Sequence, residues 1–246
     1  MISRLTFQLD YTGSELNYNN GSVFQGVLME FVNKDYGEIL HMQTLKPYSQ
    51  YIEKNDKGYM WVINTLTDES KKEIIDRIIV SNPKEIFIKH SNIKISVTDI
   101  NLYQLDYDKL IKENYINKEN NSYLTVKFIT PTAFKSNSKY IIYPDIKLIF
   151  KSLINKYNLF SKDFEINDEE ILDYIVNNAE IIDYNLRSTR FYMEGIRIPS
   201  FIGRIRLKLR GTTTTKNLVN LLLDYGQYSG IGIKNAIGMG AIKIEY

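Results

Sequence analysis

The chain has no cysteine and only two histidines, His41 and His90, among its 246 residues. The lack of cysteine excludes disulfides and thiolate-bound metals, and the scarcity of histidine argues against a histidine-based metal site. No apolar run approaches the length that crosses a bilayer. The N-terminal stretch MISRLTFQLDY alternates polar and apolar residues, which is typical of a strand and not of a signal peptide. We therefore expect a cytoplasmic protein without a membrane segment.

Net charge is also low, because 31 Lys and Arg against 29 Asp and Glu leave only +2. The total alone does not indicate a nucleic-acid partner, but six of the eight arginines lie between residues 187 and 210, downstream of an acidic block. Within that block, Glu169, Glu170 and Asp173 have the spacing of one helix. They have no Asp-x-Asp or histidine partner, so we interpret them as solvated helix charges. We expect neither a metal nor a cofactor.

Hydrophobic periodicity predicts an α+β protein in which strands bracket helices twice. Predicted strands cover Leu5 to Leu9, Tyr59 to Ile63, 87–98, 124–128, 181–192, 203–210 and the C-terminus. Predicted helices begin near Ser22, Thr67, Asp145, Asp168 and Thr212, and Tyr36 to Met42 forms a short helical continuation. The polar stretch from Lys112 to Ser122 has no periodicity and is predicted to be a linker. It separates domains at residues 1–115 and 122–246.

The segment from Gly230 to Gly240, Gly-Ile-Gly-Ile-Lys-Asn-Ala-Ile-Gly-Met-Gly, contains two Gly-x-Gly pairs around Lys234. The paired glycines are Gly230 with Gly232 and Gly238 with Gly240. Glycine permits positive φ and close backbone approach, so unshielded amides beside a lysine would hold phosphate. The order helix, loop, strand excludes a P-loop and a dinucleotide fingerprint. The alternative is a tight turn into the final strand.

His41 is the best candidate for proton transfer near neutral pH. A site that cuts a phosphodiester without a metal would need such a group, a cation for the phosphate charge and a fixed in-line geometry. Lys46 would supply the cation, and Tyr36 would orient the phosphate or share the proton transfer. The alternative is that His41 is structural and interacts with the carbonyls of a helix end.

A second basic constellation lies in the strand Arg204-Ile-Arg-Leu-Lys-Leu-Arg210. Period two places four cations on one face, namely Arg204, Arg206, Lys208 and Arg210. Such a row suits a nucleic-acid backbone, with salt-dependent affinity; the alternative is a solvated face or a charged edge. Upstream, Arg187, Arg190 and Arg197 surround Phe191 and Tyr192, which indicates a basic hairpin with rings available for base stacking.

Together these segments resemble the RAMP-superfamily endoribonucleases that process precursor CRISPR RNA. The likeness is strongest in the doubled Gly-x-Gly loop. It extends to His41 and the Lys46-Pro-Tyr-Ser49 segment, loosely to Tyr36, and to Thr130-Pro-Thr-Ala-Phe-Lys135. The resemblance implies tandem ferredoxin-like (RRM-like) domains and catalytic roles for His41, Lys46 and Tyr36. It also implies that the glycine-rich loop and the arginine stretch hold RNA. We interpret the segment from Thr130 to Lys135 as structural, with a phosphate contact by Lys135 as the alternative.

The resemblance further implies a metal-independent endoribonuclease without a cofactor. A ribose 2′-hydroxyl would attack the neighbouring phosphate in CRISPR repeat RNA and leave 2′,3′-cyclic phosphate and 5′-hydroxyl ends. Subunits of a CRISPR effector complex are further expected partners, and the protein is expected to be a monomer or homodimer. The alternative from another class is a non-catalytic RNA-binding RAMP subunit of such a complex. A nucleotide-binding protein that uses the loop is a weaker third reading.

Overall fold

The computed structural model describes residues 1–13, 16–116, 122–161, 165–166, 168–193 and 195–246. The described strands are β1 (Ile2–Asp10), β2 (Tyr48–Asn55), β3 (Gly58–Thr65), β4 (Glu85–Ile88), β5 (Ile93–Leu105), β6 (Tyr123–Thr132), β7 (Phe134–Ser136), β8 (Lys139–Ile141), β9 (Ala179–Met193), β10 (Ile196–Leu209) and β11 (Ile242–Glu245). The α-helices are α1 (Gly21–Phe31), α2 (Lys34–Met42), α3 (Asp68–Ser70), α4 (Arg77–Ser81), α5 (Tyr107–Ile111), α6 (Ile146–Phe160), α7 (Asp168–Asn178) and α8 (Thr213–Ser229). Short 3₁₀ turns cover Tyr18–Asn20, Lys89–Ser91 and Asn235–Ile237, and π-helical segments cover Lys71–Asp76 and Lys112–Ile116.

The first half of the chain forms a five-stranded antiparallel sheet in the order β2-β3-β1-β5-β4. The central strand β1 pairs with β3 on one side and with β5 on the other. Strand β4 is an added edge that forms a hairpin with β5. Without that edge, the connectivity is that of a ferredoxin-like β-α-β-β-α-β unit.

The second half repeats this connectivity in a four-stranded antiparallel sheet with the order β11-β6-β10-β9. A small β7–β8 hairpin is inserted after β6. Here β6 is the central strand that pairs with both β10 and β11. The α+β class and the tandem ferredoxin-like architecture predicted above are therefore confirmed. The domain limits at residues 1–115 and 122–246 stay a prediction.

Three of the predicted helix starts have a capping side chain, and the start predicted near Ser22 does not. Thr67, Asp145 and Thr212 each accept a hydrogen bond from a backbone N–H in the first turn of their helix, which satisfies a donor that the helix leaves unpaired. Ser22 does not cap α1, because that helix already begins at Gly21 as a continuation of the 3₁₀ turn before it. The cap belongs to Asn17, which closes a capping box on the 3₁₀ turn.

The predicted linker is helical in its first part. Residues 112–116 extend α5 as a π-helical segment in which Asn114 is buried. This segment packs on α8, where the Asn217 side-chain amide donates to the carbonyl oxygen of Tyr115 at 2.7 Å. Contacts with α8 thus stabilise the helical part of the predicted linker. The sequence of the linker, which has no hydrophobic periodicity, does not predict these contacts. Residues 117–121 of the predicted linker lie outside the described residues.

The two halves meet where the outer face of the first sheet contacts the second half of the chain. Tyr51 and Val62 on that face pack against Ala241, which directly precedes β11. Beside this contact the Arg4 guanidinium lies over the Tyr228 ring at 4.4 Å and donates to the carbonyl oxygen of Gln227 at the end of α8. Cation and helix C-terminus attract each other, so Arg4 fixes this end of α8 against the first sheet.

Candidate active site

Helix α2 presents His41 to solvent in its last turn. The inward side chains of the helix, Tyr36 and Leu40, join the core of the first half, which leaves the His41 position exposed. No hydrogen bond or ion pair joins the imidazole to another described residue. The ring is therefore accessible to an external substrate, as proton transfer to bound RNA requires.

Lys46 ties the end of α2 to the chain that leads into β2. Its ammonium group donates to the backbone carbonyl oxygens of Leu40, His41 and Gln43, with a nitrogen–oxygen distance of 3.2 Å at His41. These are carbonyls that a helix C-terminus leaves unpaired, and a cation is favourable there. Partial burial lowers the pKa of Lys46. The structure thus brings Lys46 and the His41 backbone together, with all three ammonium donors already used.

Tyr36 does not share this position. Its ring is only 6% exposed and packs in the core of the first half. Burial, the carboxylates of Glu69 and Glu73, and the phenol of Tyr48 all raise its pKa. A buried phenol that holds its proton this firmly is a poor partner for an RNA phosphate. The position argues against the catalytic role expected from the sequence.

The glycine-rich loop, residues 230–240, leads from α8 to β11, but its glycine amides are not unshielded. Gly230 donates to the carbonyl oxygen of Gly226, Gly232 to the Ser152 hydroxyl, Gly238 to the carbonyl oxygen of Asn235 and Gly240 to that of Pro131. The four N–H groups expected to hold phosphate are therefore used internally. The reason is that the loop folds back on β6 and α6, where each buried donor needs a partner.

The glycines serve close packing. Gly240 has φ +72°, and a Cβ there would lie 1.9 Å from the carbonyl oxygen of Ile231. Gly232 has φ +74°, and its Cβ would lie 2.3 Å from the carbonyl oxygen of Ala133. A side chain at either position would strain the backbone and meet one of these carbonyl oxygens. What the loop presents outward is Lys234, whose side chain is exposed.

A lysine that sequence analysis missed lies under the loop. Lys156 is on α6, and its side chain is 4% exposed. Its ammonium nitrogen lies 2.8 Å from the carbonyl oxygen of Gly230 and donates also to the Asn235 side-chain oxygen. Burial lowers the pKa of Lys156 to about 7. The available signal was a lysine at a core-facing helical spacing, three residues after Leu153 and four before Phe160.

These lysines converge on one cavity of about 390 Å³ between the two halves. Lys46 lines it from the first half, while Lys135, Lys156 and Lys234 line it from the second. No carboxylate is among its described lining residues. A concave site with four cations and no acid attracts an anion, and its volume lies in the range of ligand pockets.

The arginine stretch lies elsewhere, on the outer face of the second sheet. In the last part of β10, Ile205, Leu207 and Leu209 are buried while Arg204 and Arg206 are exposed, as the period-two pattern predicts. These two arginines line a separate cavity with Tyr123, Asp183 and Glu245. No acidic residue interrupts the row of cations along β10 itself, but Asp183 of β9 and Glu245 of β11 lie beside it. Arg210 pairs with Glu180 at 2.7 Å, and Lys208 lies over the Tyr123 ring.

The β9–β10 hairpin exposes the remaining three arginines, Arg187, Arg190 and Arg197. Arg197 lies over the Tyr192 ring at 5.6 Å, and Phe191 is fully buried, so only one of the two aromatic residues is available for stacking. The hairpin is anchored to the first half, since the Asn19 side chain accepts from the Tyr192 amide at 3.0 Å. The hairpin tip at Glu194 lies outside the described residues.

The described residues contain no group of three or more His, Asp or Glu side chains placed to bind a metal ion. In the acidic block, Asp173 pairs with Lys147 at 3.1 Å. Among the helices in the part of the chain that the structure describes, even α8 lacks the length and continuous apolar character of a bilayer-crossing segment.

Comparison with known proteins identifies the family. The sequence profile described as CRISPR-associated endoribonuclease Cas6 matches residues 126–242. A CRISPR-associated endoribonuclease Cas6 of Streptococcus thermophilus is 36% identical over 222 residues, which cover 90% of each chain. The Mycobacterium tuberculosis protein of the same description is 32% identical over 226 residues, which cover 92% of this chain and 71% of that one.

Solved structures share the fold. A Cas6 product complex superposes with a TM-score of 0.81 at 18% identity and covers 100% of this chain and 99% of that chain. Thermus thermophilus Cas6 superposes with a TM-score of 0.73 at 19% identity, and the match covers 100% of this chain and 98% of that chain. At this identity the structures establish the architecture alone, and the sequence relatives carry the assignment. The chain belongs to the Cas6 family of CRISPR-associated endoribonucleases.

Proposed function

We propose that this protein cuts CRISPR repeat RNA without a metal ion, with the RNA backbone in the lysine-lined cavity between its halves. The observation that carries the proposal is the composition of that cavity, four lysines and no carboxylate among its described lining residues. A phosphodiester backbone is the polyanion that such a site suits. RNA that enters there passes Lys46, whose ammonium bonds the backbone of His41.

His41 is proposed to move the proton. The ribose 2′-hydroxyl attacks the adjacent phosphate while the 5′-oxygen leaves, so one proton must depart and one must arrive. An exposed imidazole can do either near neutral pH. The products are a 2′,3′-cyclic phosphate on one fragment and a 5′-hydroxyl on the other.

Lys46 is proposed to act through its charge. Its three donors already bond backbone carbonyl oxygens, so a direct hydrogen bond to phosphate would require it to release one of them. A positive charge at the cavity wall still stabilises the extra negative charge of the transition state. The same contacts hold the end of α2, so Lys46 also positions His41.

Exposed cations outside the cavity are proposed to bind the rest of the RNA. Arg204 and Arg206 face solvent on the second sheet, and Arg187, Arg190 and Arg197 face solvent on the hairpin. Phosphate contacts of this kind position an RNA without reading its sequence. Tyr192 adds an exposed ring on which a base can stack.

End analysis of the products tests the proposal. Labelled repeat RNA is incubated with wild-type protein in EDTA, and the cut position is mapped. A single 2′-deoxy substitution just upstream of that position should abolish cutting, and the upstream fragment should resist phosphatase until acid opens the cyclic phosphate. Loss of cutting in EDTA, or a free 3′-hydroxyl end, contradicts the mechanism. Tight binding without cutting supports the non-catalytic RNA-binding subunit instead.

A further inference from the structure

Lys156 sits at the floor of the cavity with no negatively charged partner. Its ammonium nitrogen lies 2.8 Å from the carbonyl oxygen of Gly230, 3.4 Å from that of Gly232 and 3.5 Å from that of Ser229, and it also donates to the Asn235 side-chain oxygen. All four acceptors are neutral oxygens. No carboxylate in the described part of the chain pairs with it.

A buried ammonium without a counter-ion is unfavourable, and the protein responds by weakening its hold on the proton. Burial lowers the pKa of Lys156 to about 7, far below that of a lysine in water. The amine therefore titrates in the range in which the protein is expected to work.

The ionisable groups that face Lys156 are cationic or phenolic. Lys46 and Tyr48 approach from the α2–β2 connection, Lys135 and Tyr140 from the β7–β8 hairpin, and Lys234 from the glycine-rich loop. The Tyr225 hydroxyl of α8 donates to the backbone carbonyl oxygen of Lys156. None of these groups is a carboxylate that could offset the charge of a protonated Lys156.

We propose that Lys156 stabilises an RNA phosphate in the cavity through its charge, while its donors keep their protein oxygens, and that this phosphate draws a proton from solvent onto the amine. This inference rests on the proposed function, because RNA must occupy the cavity. A bound phosphate supplies the negative charge that the site lacks. In a partly desolvated cavity that charge strongly favours the protonated lysine.

The sign of the pH effect follows from this coupling. Below pH 7 the free protein already carries the proton on Lys156, so RNA affinity does not depend on this residue's titration. Above about pH 7 the free amine is neutral while the RNA-bound amine stays protonated. Affinity then falls by up to about tenfold per pH unit as the pH rises, until the bound form also loses its proton.

RNA binding in a His41→Ala background tests the inference, since this variant should not cut the RNA and leaves Lys156 without a second proton-transfer group at the site. Fluorescence anisotropy with repeat RNA is measured from pH 6 to 9 at constant ionic strength. His41→Ala should show the fall above pH 7. His41→Ala/Lys156→Met should bind more weakly at pH 6 and show no such fall. His41→Ala/Lys234→Ala, which removes an exposed lysine of the same cavity, should bind more weakly but keep the pH slope.

Equal pH slopes with and without Lys156, or full affinity of the Lys156→Met variant at pH 6, overturn the inference. Calorimetry of His41→Ala with RNA at pH 8, in two buffers of different ionisation enthalpy, should show uptake of close to one proton. No uptake overturns the inference even if the Lys156→Met variant does not fold. Intact affinity with a flat pH profile removes only this inference, whereas absence of repeat-RNA binding by the wild type at every pH removes the proposed function.

Discussion

Lys46 donates a hydrogen bond from its ammonium group to the backbone carbonyl oxygen of His41, at 3.2 Å. Lys46 borders the cavity and His41 is exposed at the end of α2, so this contact links the residue of the proposed proton-transfer group to the proposed anion site. The link runs through the backbone and leaves the imidazole unconstrained by any described side chain. Ordering of the ring is therefore expected to come from the bound RNA.

Replacement of Lys46 by alanine should slow cleavage by on the order of 100-fold, because the site loses a transition-state charge. Helix α2 loses its C-terminal cation as well, at about 0.3–1 kcal/mol in unfolding free energy. Lys46→Arg keeps the charge and should recover part of the rate. Single-turnover cleavage rates and urea unfolding measure the two effects. Wild-type cleavage by Lys46→Ala would remove the residue from the mechanism.

Tyr36→Phe should leave the single-turnover cleavage rate unchanged. The hydroxyl lies on a ring that is 6% exposed, and no described residue is hydrogen-bonded to it. Tyr36→Ala, in contrast, should lose about 3–5 kcal/mol of unfolding free energy because it empties part of the core. A large rate loss in a stable Tyr36→Phe protein would restore the catalytic role that the sequence suggested.

Gly240→Ala should destabilise the protein by roughly 1–3 kcal/mol from the left-handed backbone alone, and by more because its Cβ meets the Ile231 carbonyl oxygen at 1.9 Å. Gly26→Ala in α1 is the matched control, since no atom lies within 4 Å of its added Cβ. That change should raise stability by about 0.5–1 kcal/mol. Urea unfolding compares them, and equal stability of the two variants would show that the loop can rearrange.

Arg204→Ala and Arg206→Ala should each weaken RNA binding and flatten its dependence on salt, as the loss of one phosphate contact requires. Arg210→Ala should have a smaller effect, because Glu180 already pairs with that guanidinium at 2.7 Å. Binding constants measured across a salt series give the slopes. An unchanged slope for Arg204→Ala and Arg206→Ala places the RNA elsewhere on the protein.

The fold was predictable where one pattern dominates a segment. Alternation of polar and apolar residues predicts β1, β3, β6 and the outward cations of β10. Helix starts are predicted near Thr67 and Thr212, where the structure has capping side chains. Strand β2 was missed because both of its faces are buried: Tyr51 packs against the second half on the outer face, and on the inner face the buried Gln50 side chain accepts from the Trp61 indole. A strand buried on both faces does not alternate.

The site was predictable only as a set of residue types. His41 and Lys46 are both candidates from the sequence, and the structure places them at the same helix end. The internal use of the glycine amides, the burial of Tyr36 and the pairing of Arg210 with Glu180 depend on residues distant in sequence, which no local pattern contains. Helical spacing marks Lys156 as core-facing, but the role of its ammonium depends on acceptors that lie more than 70 residues away on the chain.

Single-turnover cleavage of cognate repeat RNA in EDTA, with wild type and His41→Ala side by side, tests the central claim most directly. The account predicts that the wild type cuts without metal, and that His41→Ala retains RNA affinity near pH 7 and loses cleavage by at least about 100-fold. Undiminished cutting by His41→Ala would contradict it.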